Sequence, residues 1–125
     1  MKKRRSTVAV VDGDESILDA ITWVLDNQSW AVSTYSQGEP FLADLNRYKP
    51  NCVVLDPHLP DLDGVEVVRA LTVGHAAIPF IILTAVPDSP VISEIKVIGA
   101  REVLTKPVSA EVLVDHIQAM LTSPH

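Results

Sequence analysis

Asp12, Asp56, Thr84 and Lys106 lie far apart in the chain, yet each stands at the end of a short apolar run. Two carboxylates brought close together are unfavourable unless something cationic sits between them. A magnesium ion that keeps most of its waters, held by one or two carboxylates and a carbonyl, meets that need. Lys106 would add a second fixed positive charge and Thr84 a hydroxyl donor. Such a set stabilises the anionic charge that builds up when a carboxylate, here Asp56, takes on a phosphoryl group. Each residue alone reads as an ordinary solvated strand end; the signal is that four apolar runs end in this way and in this order.

The stretch around Asp56 shows how the elements must position them. Cys52–Leu55 is a short apolar run between Pro50-Asn51 and Pro57, which suits a strand buried on both faces. Pro57 holds Asp56 in the extended region and ends the strand. The carboxylate is thereby left at the C-terminal edge of a parallel sheet, where such sheets bind ligands.

Around this centre, strand and helix patterns alternate five times. Thr7–Val11 is followed by Asp12-Gly13-Asp14-Glu15, and an Asp14 cap opens a helix to about Asn27 with Ile17, Ile21, Val24 and Leu25 on one stripe. Trp30–Tyr35 alternates like a strand near the sheet edge, and the helix after Pro40 carries Phe41, Leu42 and Leu45. Gly64 leads a helix to about Gly74, Phe80–Thr84 is another buried strand, and Pro90 starts a helix that stops at Gly99. Glu102–Thr105 is the last strand, and the helix from Ser109 turns Val112, Leu113 and Ile117 inward. The pattern specifies an α/β domain whose parallel sheet is covered on both faces by helices. Its span is 7–122, with a flexible basic segment at 1–6 and a tail or linker start at 123–125.

Composition excludes several classes. The 125 residues suit one domain, and no apolar run approaches the roughly 20 residues of a membrane span. Four of the ten basic residues fall at positions 2–5, leaving six against sixteen acids elsewhere, a net of −10. So acidic a body is a poor nucleic-acid surface. The single Cys52 excludes a disulfide framework and reads as a buried thiol, in keeping with a soluble cytoplasmic protein. His58, His75, His116 and His125 share no metal-ligand spacing and read as solvated; Asp61 and Asp63 read as solvated loop acids, and Trp23 and Trp30 as packing at the core's edges.

Val10-Val11-Asp12, Val54-Leu55-Asp56, Leu59-Pro60-Asp61-Leu62-Asp63-Gly64, Leu83-Thr84-Ala85, Gly99-Ala100 and Lys106-Pro107, taken in order, resemble the receiver domains of two-component response regulators. The likeness covers roughly residues 6–122, and the interval from Thr84-Ala85 to Gly99-Ala100 is closest to regulators of the nitrogen-fixation type. It implies a flavodoxin-like (βα)5 three-layer sandwich with strands in the order 2-1-3-4-5. It also implies Asp56 as the phosphoacceptor from a histidine kinase, without enzymatic turnover of its own. By the same likeness, magnesium is held by Asp12, Asp56 and the His58 backbone carbonyl, and Thr84 and Lys106 contact the phosphoryl group. Ala85 stays small beside them, and Lys106-Pro107 is cis. Output runs through the face of the fourth helix, fifth strand and fifth helix, toward an output domain, a partner or a second copy; Ile92 and Val97 are candidates for that face.

Three positions depart from the family pattern. Gly13 stands where a second acid follows the first, which weakens magnesium binding unless Asp14 swings in. Val103 replaces the aromatic switch residue, and Pro57 removes a backbone donor, leaving the His58 and Ala85 amides. These departures leave open a pseudo-receiver that works as a phosphorylation-independent interaction module. An enzyme reading also remains, because Val10-Val11-Asp12-Gly13-Asp14 looks like the opening of haloacid-dehalogenase-type phosphatases, with Asp12 as nucleophile and Asp14 as general acid/base. That family's closing acidic pair is missing, since only Glu111 and Asp115 follow the lysine.

Overall fold

A computed structural model describes residues 5–74 and 78–122. His75, His125 and the expectations for residues 1–4 and 123–125 lie outside them. The strands are β1 (Thr7–Val11), β2 (Ala31–Tyr35), β3 (Cys52–Leu55), β4 (Phe80–Thr84) and β5 (Val103–Thr105). The helices are α1 (Glu15–Leu25), α2 (Gly38–Leu45), α3 (Gly64–Arg69), α4 (Pro90–Ile98) and α5 (Ala110–Thr122). All four strand pairings are parallel and the order is β2-β1-β3-β4-β5, as the resemblance implies.

Burial follows from the pleat. Successive strand residues point to opposite faces, so a strand covered on both sides must be apolar throughout. Every residue of β3 is buried accordingly. Ala9, Val11, Val53, Leu55 and Ile82 pack with Phe41 and Leu45 of α2, Val65 and Val68 of α3, and Ile92 and Ile95 of α4. Val8, Val10, Val54, Ile81 and Leu83 pack on the other face with Leu18, Ile21 and Leu25 of α1 and Leu113 and Ile117 of α5. Truncating a residue such as Leu55 to alanine would cost about 2–5 kcal/mol in a core of this kind. Cys52 is fully buried, and burial pushes its thiol up to about 12.

Local chemistry explains the helix ends. Asp14 caps α1, its carboxylate accepting from the Ser16 amide at 2.9 Å and the Ser16 hydroxyl at 2.7 Å. Asp63 caps α3 by accepting from the Val65 amide. Asp61 takes the amides of Gly38 and Glu39 at 2.8 Å each, tying the β3–α3 loop to the start of α2. Both acids were expected merely to be solvated; they serve instead the unpaired amides of helix N-termini. Gly64 is required by close approach, since a Cβ there would lie 2.3 Å from the Pro57 carbonyl oxygen.

Several expectations need correction. The third helix does not run regularly to Gly74; α3 ends at Arg69 and continues as a π-helical turn over Ala70–Gly74. Trp23 is 75% exposed, whereas Trp30 is buried. Ile92 belongs to the core and cannot serve an interaction face; Val97, at 89% exposed, can. His116 is not simply solvated, because its ring lies 3.3 Å from the Glu102 carboxylate.

Candidate functional site

The register of the ladder sets the site. Val11 is level with Leu55, so Asp12 and Asp56 leave the ends of adjacent strands side by side. The Asp56 amide donates to the Val11 carbonyl at 2.9 Å, and the Asp12 amide to the Tyr35 carbonyl at 3.0 Å. Thr84 pairs with Thr105, and the Lys106 amide donates to the Thr84 carbonyl at 2.8 Å, which starts the lysine side chain beyond the sheet edge. The peptide bond from Lys106 to Pro107 is cis.

From there Lys106 reaches back between the two acids. Its Nζ donates to Asp12 Oδ2 at 2.7 Å and to Asp56 Oδ2 at 2.8 Å. Asp12 and Asp56 are only 4% and 9% exposed, so the ammonium neutralises charge that water reaches poorly. Burial works to lower the lysine's pKa, but the hydrogen bonds and negative charges of both aspartates outweigh it and hold the ammonium above its ordinary value. The other carboxylate oxygens are also engaged. Asp12 Oδ1 accepts from the Asp14 amide at 2.9 Å, and Asp56 Oδ1 accepts from the His58 amide at 2.9 Å.

Asp12, Asp56, His58 and Lys106 line an open cleft of about 910 Å³, together with Gly13 and Pro60. Thr84 does not line it. Alternation along the strands puts Thr84 on the pleat of Ile82, facing α3 and α4, whereas Asp12, Asp56 and Lys106 continue the pleat of Val10, Val54 and Leu104. The Thr84 hydroxyl is fully buried and accepts from the Val86 amide at 3.0 Å.

The His58 side chain was missed by sequence reasoning. Its Nδ1 lies 3.2 Å from Asp56 Oδ1 and its Nε2 lies 3.0 Å from the Ser89 hydroxyl at the start of α4. No spacing in the sequence signals these contacts, because the path of the loop after Asp56 sets them.

The donor set suits a hard divalent ion. Asp12, Asp56 and the His58 carbonyl offer oxygen ligands, and a carboxylate oxygen with one hydrogen bond retains a lone pair. Gly13 leaves a gap beside them: a Cβ there would lie 3.7 Å from the His58 carbonyl oxygen and 3.2 Å from Pro60 Cδ. Asp14 does not fill the gap, for its carboxylate is engaged as the α1 cap, and the bonds from Ser16 hold it below the usual range.

Known proteins resemble this chain in sequence and in fold. The chain is 31% identical over 121 residues to the response regulator protein TodT of Pseudomonas putida, covering 97% of this chain and 53% of that protein. It is 29% identical over 116 residues to the transcriptional regulatory protein FixJ of Bradyrhizobium diazoefficiens, covering 93% and 55%. The chain thus spans about half the length of the curated relatives it matches. Among solved structures, the BeF3-activated receiver domain of DrrB superposes with a TM-score of 0.85 at 32% identity, over 96% of this chain and 100% of that one. The family model for the response regulator receiver domain matches residues 8–118, and the chain belongs to that family.

Proposed function

We propose that this receiver domain accepts a phosphoryl group on Asp56 from a phosphohistidine of a histidine kinase. The observation that carries the reading is the Lys106 ammonium set between the Asp12 and Asp56 carboxylates at 2.7 and 2.8 Å. An Asp56 oxygen attacks phosphorus, the N–P bond of the phosphoimidazole breaks, and the leaving imidazole takes up a proton. Lys106 then faces the oxygens on which the transferred charge collects. Asp12, Asp56 and the His58 carbonyl would hold magnesium, which when bound shields the approach of one anion to another. With one carboxylate fewer than the family pattern, that ion binds weakly. Thr84 comes into contact with the phosphoryl group only by turning from its hydrogen bond with the Val86 amide.

Phosphorylation in turn alters protein contacts through the α4-β5-α5 face, where Val97 is exposed and so is Val112, against the inward placing its spacing suggests. The occupant of that face is an output segment, a partner protein or a second copy. The acidic body argues against nucleic acid as a direct ligand of this domain, and the single buried thiol of Cys52 suits a reducing cytoplasm. No helix among the described residues is long and apolar enough to cross a membrane. The phosphatase reading is disfavoured by the engagement of Asp14 as a helix cap, which takes it from the general acid/base role that reading gives it.

Intact-mass measurement of the chain incubated with acetyl phosphate and magnesium tests the proposal. One added phosphoryl group is expected, and none in Asp56→Asn. An unlabelled wild type at millimolar magnesium would favour the pseudo-receiver.

A further inference from the structure

We infer that the His58 imidazole, in place of an aromatic at position 103, couples the state of Asp56 to the first turn of α4. The inference rests on the phosphoacceptor reading and names how that site is read out.

His58 touches Asp56 through Nδ1 and Ser89 through Nε2. A carboxylate only accepts hydrogen bonds, so Nδ1 carries the proton, and in the neutral ring Nε2 accepts from the Ser89 hydroxyl. Ser89 is the N-cap residue of α4, with extended backbone angles of φ −68° and ψ 152° suited to capping. Serine is among the best N-caps, yet its side chain makes no cap hydrogen bond here. Its hydroxyl is turned to the histidine instead. Among the described residues, His58 is thus the only side chain hydrogen-bonded both to Asp56 and to a residue opening α4. Position 103 holds a valine, which has no polar end to carry a signal.

Phosphorylation removes the reason for this arrangement. Whichever Asp56 oxygen bonds to phosphorus, the carboxylate becomes an acyl phosphate, and its negative charge passes to the phosphoryl oxygens. Oδ1 is then a neutral acyl or bridging oxygen, a weaker acceptor for Nδ1–H than an ionised one. The ring follows the charge outward. Being rigid, it cannot do so and keep Nε2 on Ser89. The freed hydroxyl then caps the amide of Val91, since Pro90 has no amide and the Ile92 amide already donates to the Ser89 carbonyl at 3.1 Å. α4 thus has a looser start with Asp56 free and a capped one with Asp56 modified.

Amide hydrogen exchange of Val91, Ile92 and Ser93 in the full chain tests this, with beryllofluoride and magnesium as the phosphoryl mimic and fluorine NMR reporting its binding. In wild type, the mimic slows exchange roughly fivefold, the equivalent of one serine cap. His58→Ala shows the slow exchange without the mimic, because Ser89 is already free. Ser89→Ala shows fast exchange in both states. Bound fluorine with no change in wild-type α4, or a His58→Ala variant that starts fast and still slows on binding, overturns the coupling alone. No bound fluorine in wild type overturns the phosphoacceptor reading and the coupling with it.

Discussion

At the N-terminal edge of the sheet, Asn51 accepts from the Thr7 amide at 2.8 Å and from its hydroxyl at 3.2 Å. At the C-terminal edge, Lys106 bridges Asp12 and Asp56 at similar distances. Both sets bring together residues at least 44 positions apart in the chain. The first is neutral, solvent-exposed and closed, its groups satisfying strand ends that would otherwise need water. The second is charged and largely buried, and its cation is shared by two anions beside an open cleft. A polar contact that only completes a ladder reads as structure; one that concentrates ionised groups where backbone bonding has ended reads as chemistry.

Breaking each edge should therefore have different consequences. Lys106→Met leaves two poorly hydrated carboxylates without a counter-ion and is expected to cost about 1–3 kcal/mol in urea unfolding, as well as most of the labelling rate. The pH dependence has a definite sign. Because the folded ammonium titrates above its ordinary 10.5, the stability it lends is complete below that pH and is lost as pH rises through the higher folded value. Wild type and Lys106→Met should converge there, and a gap that stays constant through the alkaline range would contradict the ion-pair account.

A smaller effect is expected from restoring the missing acid. Gly13→Asp alone meets Pro60 Cδ at 3.2 Å, so its gain in magnesium affinity should be slight. Combined with Pro60→Ala, calorimetry should record binding tighter by roughly tenfold, about 1.4 kcal/mol. Equal affinity of the double variant and wild type would show that Gly13 does not limit the ion.

At the opposite edge, Asn51→Ala should lower stability by about 1 kcal/mol and leave the labelling rate untouched. A labelling defect there would erase the distinction between the two edges. Smallest of all, Cys52, with its thiol pushed up to about 12, should resist alkylation by iodoacetamide in the folded chain at pH values near 8.5, where a free thiol ionises.

The fold was legible because β1, β3 and β4 are buried nearly throughout and α1 and α4 begin at Asp14 and Pro90, so period and punctuation agree. Asp12, Asp56 and Lys106 were legible for a related reason: strand ends in a parallel sheet converge by construction. Thr84 was only half legible. Its place at a strand end can be read from the sequence, but which side of the sheet it faces depends on the pleat, and one residue of register reverses it. The roles of His58, Ser89 and Asp61 were not legible, since each is set by a loop whose path only the packed structure fixes. Trp23 shows the converse, a large apolar residue left at the surface by its angular position on α1.

The central claim is that the bridged carboxylate of Asp56 is the group that takes the phosphoryl. Borohydride reduction of the acetyl phosphate-treated chain, followed by peptide mapping, tests it directly, because an acyl phosphate is reduced to the alcohol while a free carboxylate is not. The account predicts homoserine at position 56 and unchanged aspartate at position 12. Reduction at position 12, or at neither, would contradict it.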